Sequence, residues 1–310
     1  MGGQFTPKLG GQFNRFFQIS GYLIFQSVIR SKSLVNYFWN RILRIFPALI
    51  TALVLSVCFC YFAYQGINSY WSNSSTQSYI PNNILLFKGQ GFIDGVFINN
   101  RYRPAINGSL WTIRYEFVGY ILLSLFFFIK EKRKLLKYIF LFLYCLFLIM
   151  AIFYPNRGGN FNFIANIFNL GNNLFINLFC FFIGGSLLAI FEIEKTDNKT
   201  KFLLLVSLSL LFLVSLQFNM FWFSQFIFLP ILTVLFGASS YPIINQWSKQ
   251  IGDLSYGIYI YSFPVQQILE YFFKPNLIEM MCVSFLITII IAHFSWQYIE
   301  KNALKLKKLF

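Results

Sequence analysis

The dominant pattern along the chain is a series of long apolar runs separated by polar connections. A membrane-spanning α-helix needs about 20 mostly apolar residues, with a range of about 17–25. Runs of roughly this length predict nine spans, of which the first is short. They cover residues 16–30, 42–64, 109–129, 135–154, 173–191, 201–217, 220–239, 252–273 and 277–299. The pattern predicts an all-α, polytopic transmembrane helical bundle that forms a single domain over residues 1–310.

Composition supports a membrane protein. Of the 310 residues, 57% are hydrophobic and 11% are charged, whereas soluble domains average about 45–50% and about 25%. The net charge of +15 is scattered between the apolar runs, and nucleic-acid binding would require that charge on one folded face. The five cysteines lie in apolar runs without a Cys-x-x-Cys pair. We therefore expect no nucleic-acid partner, no metal site and no disulfide framework.

The basic connections predict the orientation, because Lys and Arg concentrate in cytoplasmic connections. Residues 30–44, 130–137 and 301–310 are the most basic connections, and alternating the nine spans places all of them on one side. The C-terminus is therefore predicted to be cytoplasmic and residues 65–108 external. This external loop is polar and unusually long, so it is either a functional lid or a mobile segment. Residues 1–15 have no apolar period and are predicted to be irregular.

Two ionisable side chains, Arg114 and Glu116, interrupt the apolar run that begins near Ser109. A charge inside the bilayer costs at least about 2.5 kcal/mol and usually serves a pathway, a partner or a reaction. Arg114 is long enough to reach the interface, so anchoring and function both remain open for it. Glu116 lies about 10 Å below the outer end of the span and is too short to reach out. We therefore predict a functional role for Glu116.

A second basic feature, Arg41 and Arg44, lies at the predicted cytoplasmic end of the next span toward the N-terminus. Their spacing of three residues places both side chains on one helical face, and Pro47 follows one turn deeper. The pair either anchors the span on the cytoplasmic side or binds an anionic cytoplasmic ligand through its guanidinium groups. The spacing does not choose between these interpretations.

Several motifs, taken in order, resemble the landmarks of the acyltransferase 3 family of bacterial membrane O-acyltransferases, and the resemblance runs from about Arg15 onward. The segments that carry the resemblance are FFQISGYLIFQS, FWNRILRIFPAL, DGVF, NGSLWTIRYEF, IGDLSYGIYIYSFPVQQ and SWQYIEKNAL. The family's Arg-x-x-Arg-Ile-x-Pro pattern is matched by Arg41, Arg44, Ile45 and Pro47. Its Trp-(x)-Leu/Ile-x-x-Glu pattern is matched by Trp111, Ile113 and Glu116, and its serine-tyrosine pattern by Ser255, Tyr256, Tyr259 and Pro264.

The resemblance implies a reaction and a location. Family members move an acetyl group from cytoplasmic acetyl-CoA, a donor substrate rather than a bound cofactor, to a sugar hydroxyl. The acceptor is an envelope saccharide such as O-antigen, capsule or exopolysaccharide, or a lipid-linked sugar. The expected location is the bacterial inner membrane, where membrane lipids surround the spans. Catalytic roles are implied for Glu116 and Arg114, and donor or substrate binding for Arg41, Arg44, Trp111, Tyr256 and Tyr259.

Acyl transfer to an alcohol suggests what these side chains would do. Glu116 is a candidate base, an orienter of the sugar, or the partner of a base. Arg41 and Arg44 would hold the phosphates or the acyl carbonyl of the donor. The tyrosines would donate hydrogen bonds to sugar or carbonyl, or they are core aromatics. Asp253, just before the LSYG segment, is predicted to be a helix N-cap.

The histidines depart from the family pattern. Members usually begin with a span that carries a catalytic histidine, and no such span is recognised here. Ser262 stands where many members have histidine, and the single histidine, His293, is expected to be buried and structural. These departures predict a truncated or rearranged chain without the usual general base, and they leave both an inactive chain and an active one with another base open. Two other classes stay open: a transporter or flippase of polar lipid or oligosaccharide, and a non-enzymatic membrane subunit.

Overall fold

The structure, a computed structural model, describes residues 10–86, 88–101, 104–153, 172–239 and 252–309. Its main helices are α1 (Gly10–Arg30), α2 (Leu34–Cys60), α3 (Ser74–Ile84), α4 (Leu110–Ser124), α5 (Arg133–Phe153), α6 (Asn172–Ile190), α7 (Asn198–Gln217), α8 (Phe221–Ala238), α9 (Ser255–Phe273) and α10 (Leu277–Ser295). After α10 come a π-helical turn (Trp296–Glu300), α11 (Lys301–Lys305) and a 3-10 turn (Leu306–Leu309). The prediction of an all-α polytopic protein is confirmed.

Each predicted span coincides with a helix of the described chain. Six of these helices, some with the turns that follow them, are long and apolar enough to cross a membrane: α2, α4, α5, α7, α8 and α10. A shorter apolar stretch, Leu174–Ile190, forms most of α6. Helices α1 and α9 carry more polar residues, among them Gln18, Gln26, Gln267 and Glu270, which explains why they fall short of that apolarity.

The start of α1 differs from the prediction. The helix begins at Gly10, so residues 10–15 are helical rather than irregular, and residues 1–9 lie outside the described residues. Extending an existing helix by a few residues requires no new nucleation. An apolar period is therefore not needed for these first turns.

The chain divides into two compact units. The first unit comprises Met1–Leu34 and Tyr115–Pro242, and the second comprises Val35–Arg114 and Ile243–Phe310.

In the first unit, α1 and α6 approach each other closely through glycines. A Cβ atom at Gly21 would collide with the carbonyl oxygen of Phe182, and a Cβ at Gly185 would collide with that of Gln18. Ser186 Oγ donates a hydrogen bond to Gly21 O at 3.0 Å. Small residues allow membrane helices to pack backbone against backbone. These residues therefore set the separation of α1 and α6.

Helix α7, also in the first unit, is attached to the rest of the unit at its first turn, and most of its later side chains are exposed. Asp197 accepts a hydrogen bond from Thr200 N at 2.8 Å, and this bond holds the pKa of the Asp197 carboxyl below its usual value. Lys201 is buried, and its Nζ donates to Glu194 O at 2.8 Å and to Ala238 O at 3.2 Å. Farther along, Leu210 is 58% exposed. Lys201 thus fixes one end of an otherwise exposed apolar helix.

In the second unit, α2 continues through Pro47 without a break. Helices α9 and α10 pack at Gly257, where an added Cβ would lie 2.9 Å from the Cβ of Ala292. Next to this seam, Tyr261 OH donates to Ser295 Oγ at 3.0 Å. The small residues permit the close packing, and the buried Tyr261 hydroxyl has its hydrogen-bond partner in Ser295.

The long loop of the second unit is folded and tied to α9. It contains α3, whose N-cap Asn73 accepts a hydrogen bond from Ser75 N. Arg101 Nε donates to Glu270 Oε1 at 2.7 Å, and Asn100 Nδ2 donates to Gln267 Oε1 at 3.1 Å. The loop therefore has its own helix and polar attachments to α9, because its Asn, Ser and Gln side chains satisfy the backbone groups that an apolar core would otherwise have to pair.

The buried hydroxyl of Tyr70 joins the loop to α2. Tyr70 OH donates to Val57 O at 2.7 Å, and the residue is 3% exposed. Burial raises the pKa of this phenol well above its ordinary value.

Candidate functional site

Glu116, in the first unit, is held by two hydroxyl groups. Tyr120 OH donates to Glu116 Oε1 at 2.7 Å, and Ser20 Oγ donates to the same oxygen at 3.2 Å. Tyr120 lies one turn along α4, whereas Ser20 comes from α1. The half-buried carboxylate is therefore fixed through Oε1 by charge-assisted hydrogen bonds.

The packing around Glu116 explains why Ser20 reaches it. Gly21 follows Ser20 and packs on the backbone of α6 at Phe182. In α4, a Cβ added to Gly119 would lie 2.6 Å from the Phe182 ring. Both glycines thus let their helices approach the same residue, and Ser20 comes within hydrogen-bonding distance of α4. Neither Ser20, which lies in the FFQISG segment, nor Tyr120 was predicted to be a site residue. For Tyr120, the i, i+4 spacing to Glu116 is the signal that was available.

Arg44, in the second unit, forms an ion pair with Asp253. Its Nη2 lies 2.6 Å from Asp253 Oδ2, and the two side chains are 23% and 50% exposed. The Cζ atom of Arg44 lies 6.0 Å from the ring centroid of Tyr256, near the outer limit for a cation–π interaction. Arg41, half-buried, shares this face of the continuous helix α2, as its spacing predicts. The structure thus brings Arg44 and Tyr256, two of the predicted binding residues, together.

Asp253 has a second role at the start of α9. Its Oδ1 accepts hydrogen bonds from Ser255 Oγ at 2.6 Å and from Ser255 N at 3.3 Å. The N-cap position itself is Leu254, so the predicted N-cap is wrong by one residue. The preceding Gly252 has a φ of +86°, a backbone conformation that favours glycine. After this left-handed residue, the Asp253 carboxylate both accepts hydrogen bonds from Ser255 at the start of α9 and pairs with Arg44.

The two predicted tyrosines use their hydroxyls inside the second unit. Tyr256 OH donates to Ile45 O at 3.1 Å. Tyr259 OH donates to Ser109 O at 2.8 Å and also forms a hydrogen bond with Thr112 Oγ1. These bonds join α9 to α2 and to the start of α4, as the interpretation of core aromatics expects. Substrate binding by either tyrosine stays a prediction.

Arg114 and Trp111 lie half-buried in the first part of α4, in the second unit. The Arg114 guanidinium packs against the loop at Gly89, where an added Cβ would lie 2.6 Å from Arg114 Cζ. Gly89 has a φ of +51°, so its left-handed backbone and its lack of a side chain both accommodate the arginine. The arginine therefore packs against the loop, which fits the anchoring interpretation. Catalysis by Arg114 and binding by Trp111 stay predictions.

The C-terminal tail brings a further cation to the start of α2. Trp39 Nε1 donates to Leu306 O at 3.0 Å, which ties the tail to the first turns of α2. Lys307 follows Leu306 directly, so the tail brings this lysine near the start of α2, the helix that carries Arg41 and Arg44. The sequence analysis used the basic residues of 301–310 only to predict that the tail is cytoplasmic. The spacing of residues along the sequence does not indicate that the C-terminal tail lies near the start of α2.

His293 is exposed near the end of α10, so the expectation of a buried imidazole is wrong. The buried positions of this part of α10 are Thr288, Ala292 and Ser295, and His293 falls outside that seam. Ser262 Oγ donates to Tyr259 O at 3.2 Å.

Comparisons with known proteins agree with these motifs. The profile of a family described as an acyltransferase domain matches residues 15–296. An O-acetyl transferase of Shigella phage Sf6 is 29% identical over 299 residues, which cover 93% of this chain and 83% of the phage protein. An uncharacterised protein of Haemophilus influenzae is 29% identical over 213 residues, which cover 64% of this chain and 83% of that protein. No solved structure gives a significant match.

Proposed function

The chain belongs to this acyltransferase family, and from that membership we propose that it transfers an acetyl group from cytoplasmic acyl-CoA to a hydroxyl of a cell-envelope saccharide. The chain is a multi-pass membrane protein with an acyltransferase domain. The observation that carries the proposal is that the family match over residues 15–296 includes the Arg41 and Arg44 face and the Glu116 segment. The name of the phage relative supports an acetyl group and an oxygen acceptor.

The proposed membrane is the bacterial inner membrane, with the C-terminal tail in the cytoplasm. Arg41, Arg44 and Lys307 would then face the compartment that holds acyl-CoA. Trp39 holds the tail near the first turns of α2 through its bond to Leu306 O. The basic connections support this orientation, because cytoplasmic connections are rich in Lys and Arg.

For donor binding, we assign the anionic part of acyl-CoA to the Arg41 and Arg44 face. Guanidinium groups bind phosphate in a bidentate geometry that an ammonium group does not reproduce. Asp253 holds Arg44 at 2.6 Å and is half exposed, so a phosphate can compete with it for the guanidinium. Tyr256 supports the arginine side chain from one side. The donor would bind as a substrate, and the proposal requires no resident cofactor.

For the transfer, the acceptor hydroxyl must lose a proton as its oxygen attacks the thioester carbonyl. The new C–O bond forms, the C–S bond breaks, and the departing thiolate takes up a proton to give the free thiol of CoA. Glu116 is our candidate to accept the hydroxyl proton, because Ser20 and Tyr120 both bind Oε1 and Oε2 is the oxygen we assign to the substrate. A base must come within about 2.6–3.2 Å of the group it deprotonates.

The test is acetyl transfer in isolated membranes with radiolabelled acetyl-CoA. The wild-type chain should transfer label to membrane saccharide, and Arg44→Ala should abolish most of the transfer. Arg30→Ala is the matched control, since Arg30 is exposed and its Nη2 donates to Gln26 Oε1 at 2.9 Å, one turn back in α1. Absence of transfer by the wild-type chain, together with saccharide transport into vesicles, would replace the proposal with a transporter. Absence of both would favour a non-enzymatic subunit or an inactive acyltransferase that lacks the histidine usual in the family.

A further inference from the structure

An aromatic cluster joins the end of α2 to the long loop of the second unit, and the proposed reaction does not use it. The rings of Tyr61 and Trp71 are stacked, with centroids 6.0 Å apart and an interplanar angle of 18°. Tyr70 packs edge-on against both, with its centroid 5.8 Å from that of Tyr61 and 5.0 Å from that of Trp71. Its hydroxyl donates to Val57 O at 2.7 Å. The loop therefore holds Trp71 in a fixed position against the end of α2.

The outer side of this cluster is exposed and apolar. Tyr61 is 50% exposed, Phe62 66% and Trp71 53%. These three side chains, here called the aromatic patch, continue a stripe of exposed residues along α2, in which Ile50 and Val54 are 41% and 42% exposed. The steps of four residues from Ile50 to Val54 and of seven from Val54 to Tyr61 keep the stripe on one helical face. The patch is thus continuous with the exposed surface of a helix that is long and apolar enough to cross a membrane.

The position of Tyr61 along α2 matches the edge of a bilayer. The chain has no charged residue between Arg44 and Tyr61, and the 17 positions that separate them correspond to about 25 Å at 1.5 Å per residue. The hydrocarbon core of a bilayer is about 30 Å thick. Arg44, paired with Asp253, marks one edge of the core, because a charge inside hydrocarbon is costly. Tyr61 then lies near the opposite edge, where Tyr and Trp side chains collect.

The composition of the adjoining loop favours a headgroup layer over open water. Residues 62–87 contain no Asp, Glu, Lys or Arg, which are the residues most often found on surfaces in water. The backbone at Trp71 is paired inside the loop, since Gln77 Nε2 donates to Trp71 O at 3.0 Å. The indole can therefore enter the interface without taking an unpaired carbonyl oxygen out of water.

We propose that the aromatic patch of Tyr61, Phe62 and Trp71 binds the headgroup layer of the phospholipid bilayer, so that the first part of the long loop lies on the membrane surface. The apolar parts of the rings meet the acyl chains, and the indole N–H and the phenol hydroxyl reach the hydrated headgroups. Because Tyr70 ties Trp71 to α2, lipid contact at the patch holds the loop against the membrane. The inference requires a membrane location and is independent of the proposed reaction.

Tryptophan fluorescence in proteoliposomes tests the inference. The full chain, with Trp71 retained and the other five of its six tryptophans replaced by Phe, is reconstituted into phosphatidylcholine and phosphatidylglycerol vesicles. The acyl chains are either native or brominated. Brominated lipid should quench Trp71 by at least about half, as expected of an indole in the interfacial belt. Acrylamide, a quencher dissolved in the water, should act only weakly.

The matched control moves the indole to a charged position of the same loop. It combines Trp71→Phe with Asp94→Trp in the same background, and Asp94 is exposed. Only backbone atoms of Asp94 take part in its hydrogen bonds to Asn73 and Ser75, so the substitution can keep them. We expect the reverse behaviour from this control, with strong quenching by acrylamide and weak quenching by brominated lipid.

Equal quenching of Trp71 and of the control by both reagents would overturn the inference. Protection of Trp71 from acrylamide by a soluble oligosaccharide, without quenching by brominated lipid, would overturn it in favour of saccharide binding at the patch. If the five replacements prevent folding, Trp71→Phe in the otherwise native chain decides. Its fluorescence should then be quenched by brominated lipid to a smaller fraction than that of the native protein, and an unchanged fraction would overturn the inference.

Discussion

Gly185 of α6 lies so close to the backbone carbonyl of Gln18 in α1 that a single added carbon would overlap the oxygen. Gly21 has the reciprocal relationship with Phe182. Because the obstacle in both cases is backbone, a side chain at either position can be accommodated only if the two helices move apart.

We predict that Gly185→Val destabilises the protein by at least about 1–3 kcal/mol, the usual cost of overpacking. Thermal unfolding of the purified protein in detergent measures the effect. Gly237→Ala is the control: nothing lies within 4 Å of an added Cβ there, and alanine favours helix by up to about 1 kcal/mol. Equal melting temperatures for Gly185→Val and the wild type would contradict the close approach.

The second prediction concerns the bond that fixes Glu116. Tyr120→Phe removes the shorter of its two hydroxyl donors, so we expect kcat to fall about tenfold, since a hydrogen bond to a charged group contributes roughly 1.5–3 kcal/mol. Ser20→Ala should act in the same direction but less, because its bond is longer. Steady-state acetyl transfer gives kcat.

Tyr138→Phe serves as the control for the tyrosine variant, since Tyr138 is 72% exposed in α5. Glu116→Gln tests the carboxylate itself, because it keeps the shape and removes the charge. Full activity in Glu116→Gln would make this residue a structural polar group, whatever the effect of Tyr120→Phe.

The third prediction separates ligand binding from anchoring at Arg44. Arg44→Lys should raise the KM for acyl-CoA nearly as much as Arg44→Ala, because an ammonium cannot reproduce the bidentate geometry. Anchoring predicts a different result, since lysine anchors a span as well as arginine does. Restoration of full acetyl transfer by lysine would refute donor binding by this residue and leave its topological role.

The fourth prediction concerns the tie between the loop and α9. Arg101→Ala should speed proteolytic cleavage within residues 65–108, because it leaves the Glu270 carboxylate, 10% exposed, without its ion pair. The arginine is 64% exposed, so solvent screening limits the loss to about 1 kcal/mol. Limited proteolysis of membranes reports the rate.

The matched variant is the double change Arg101→Ala with Glu270→Gln, which removes the uncompensated charge as well. It should be cleaved more slowly than Arg101→Ala alone. A loop that is equally resistant in all three proteins would show that Asn100 and the other polar contacts hold it without the ion pair.

The fifth prediction is the topology. In a background without the native cysteines, a cysteine at Ile67, which is fully exposed, should react with a membrane-impermeant maleimide in intact spheroplasts. Cysteines at Lys132 and Lys305 should react only after permeabilisation. Labelling of Lys132→Cys in intact cells would invert the orientation and remove the proposed access of Arg44 to cytoplasmic acyl-CoA.

The helices were predictable because membrane-spanning segments must pair their backbone hydrogen-bonding groups internally and expose apolar side chains. Both requirements can be recognised in a short stretch of sequence. The shared face of Arg41 and Arg44 was predictable for the same reason: helical periodicity is local. The long loop was harder. Its helix α3 has little apolar character, and the signal that was available is the N-cap Asn73 before a run of Ser and Thr.

The pairings that build the candidate sites were not predictable from one sequence. Ser20 and Glu116 are 96 positions apart, and Arg44 and Asp253 are 209 apart, so only the packing of whole helices brings them together. The hydrogen bond that Ser295 Oγ donates to Glu300 Oε1 at 3.0 Å was not predictable for a different reason. An α-helical period continued through SWQYIEK turns Glu300 away from Ser295, and only the local widening of the π-helical turn reverses that direction.

Helix α7 is fixed by Lys201 at one end, and most of its other side chains are exposed, with Leu203, Leu210 and Leu213 all more than half accessible. The solvent for such side chains in a membrane protein is hydrocarbon, which discriminates strongly by polarity and weakly by shape. Evolution can therefore exchange Leu, Ile, Val and Phe at these exposed positions with little consequence, while a charge at the same positions is costly. At these positions the apolar character of the side chain must be kept, whereas the particular apolar residue can change during evolution.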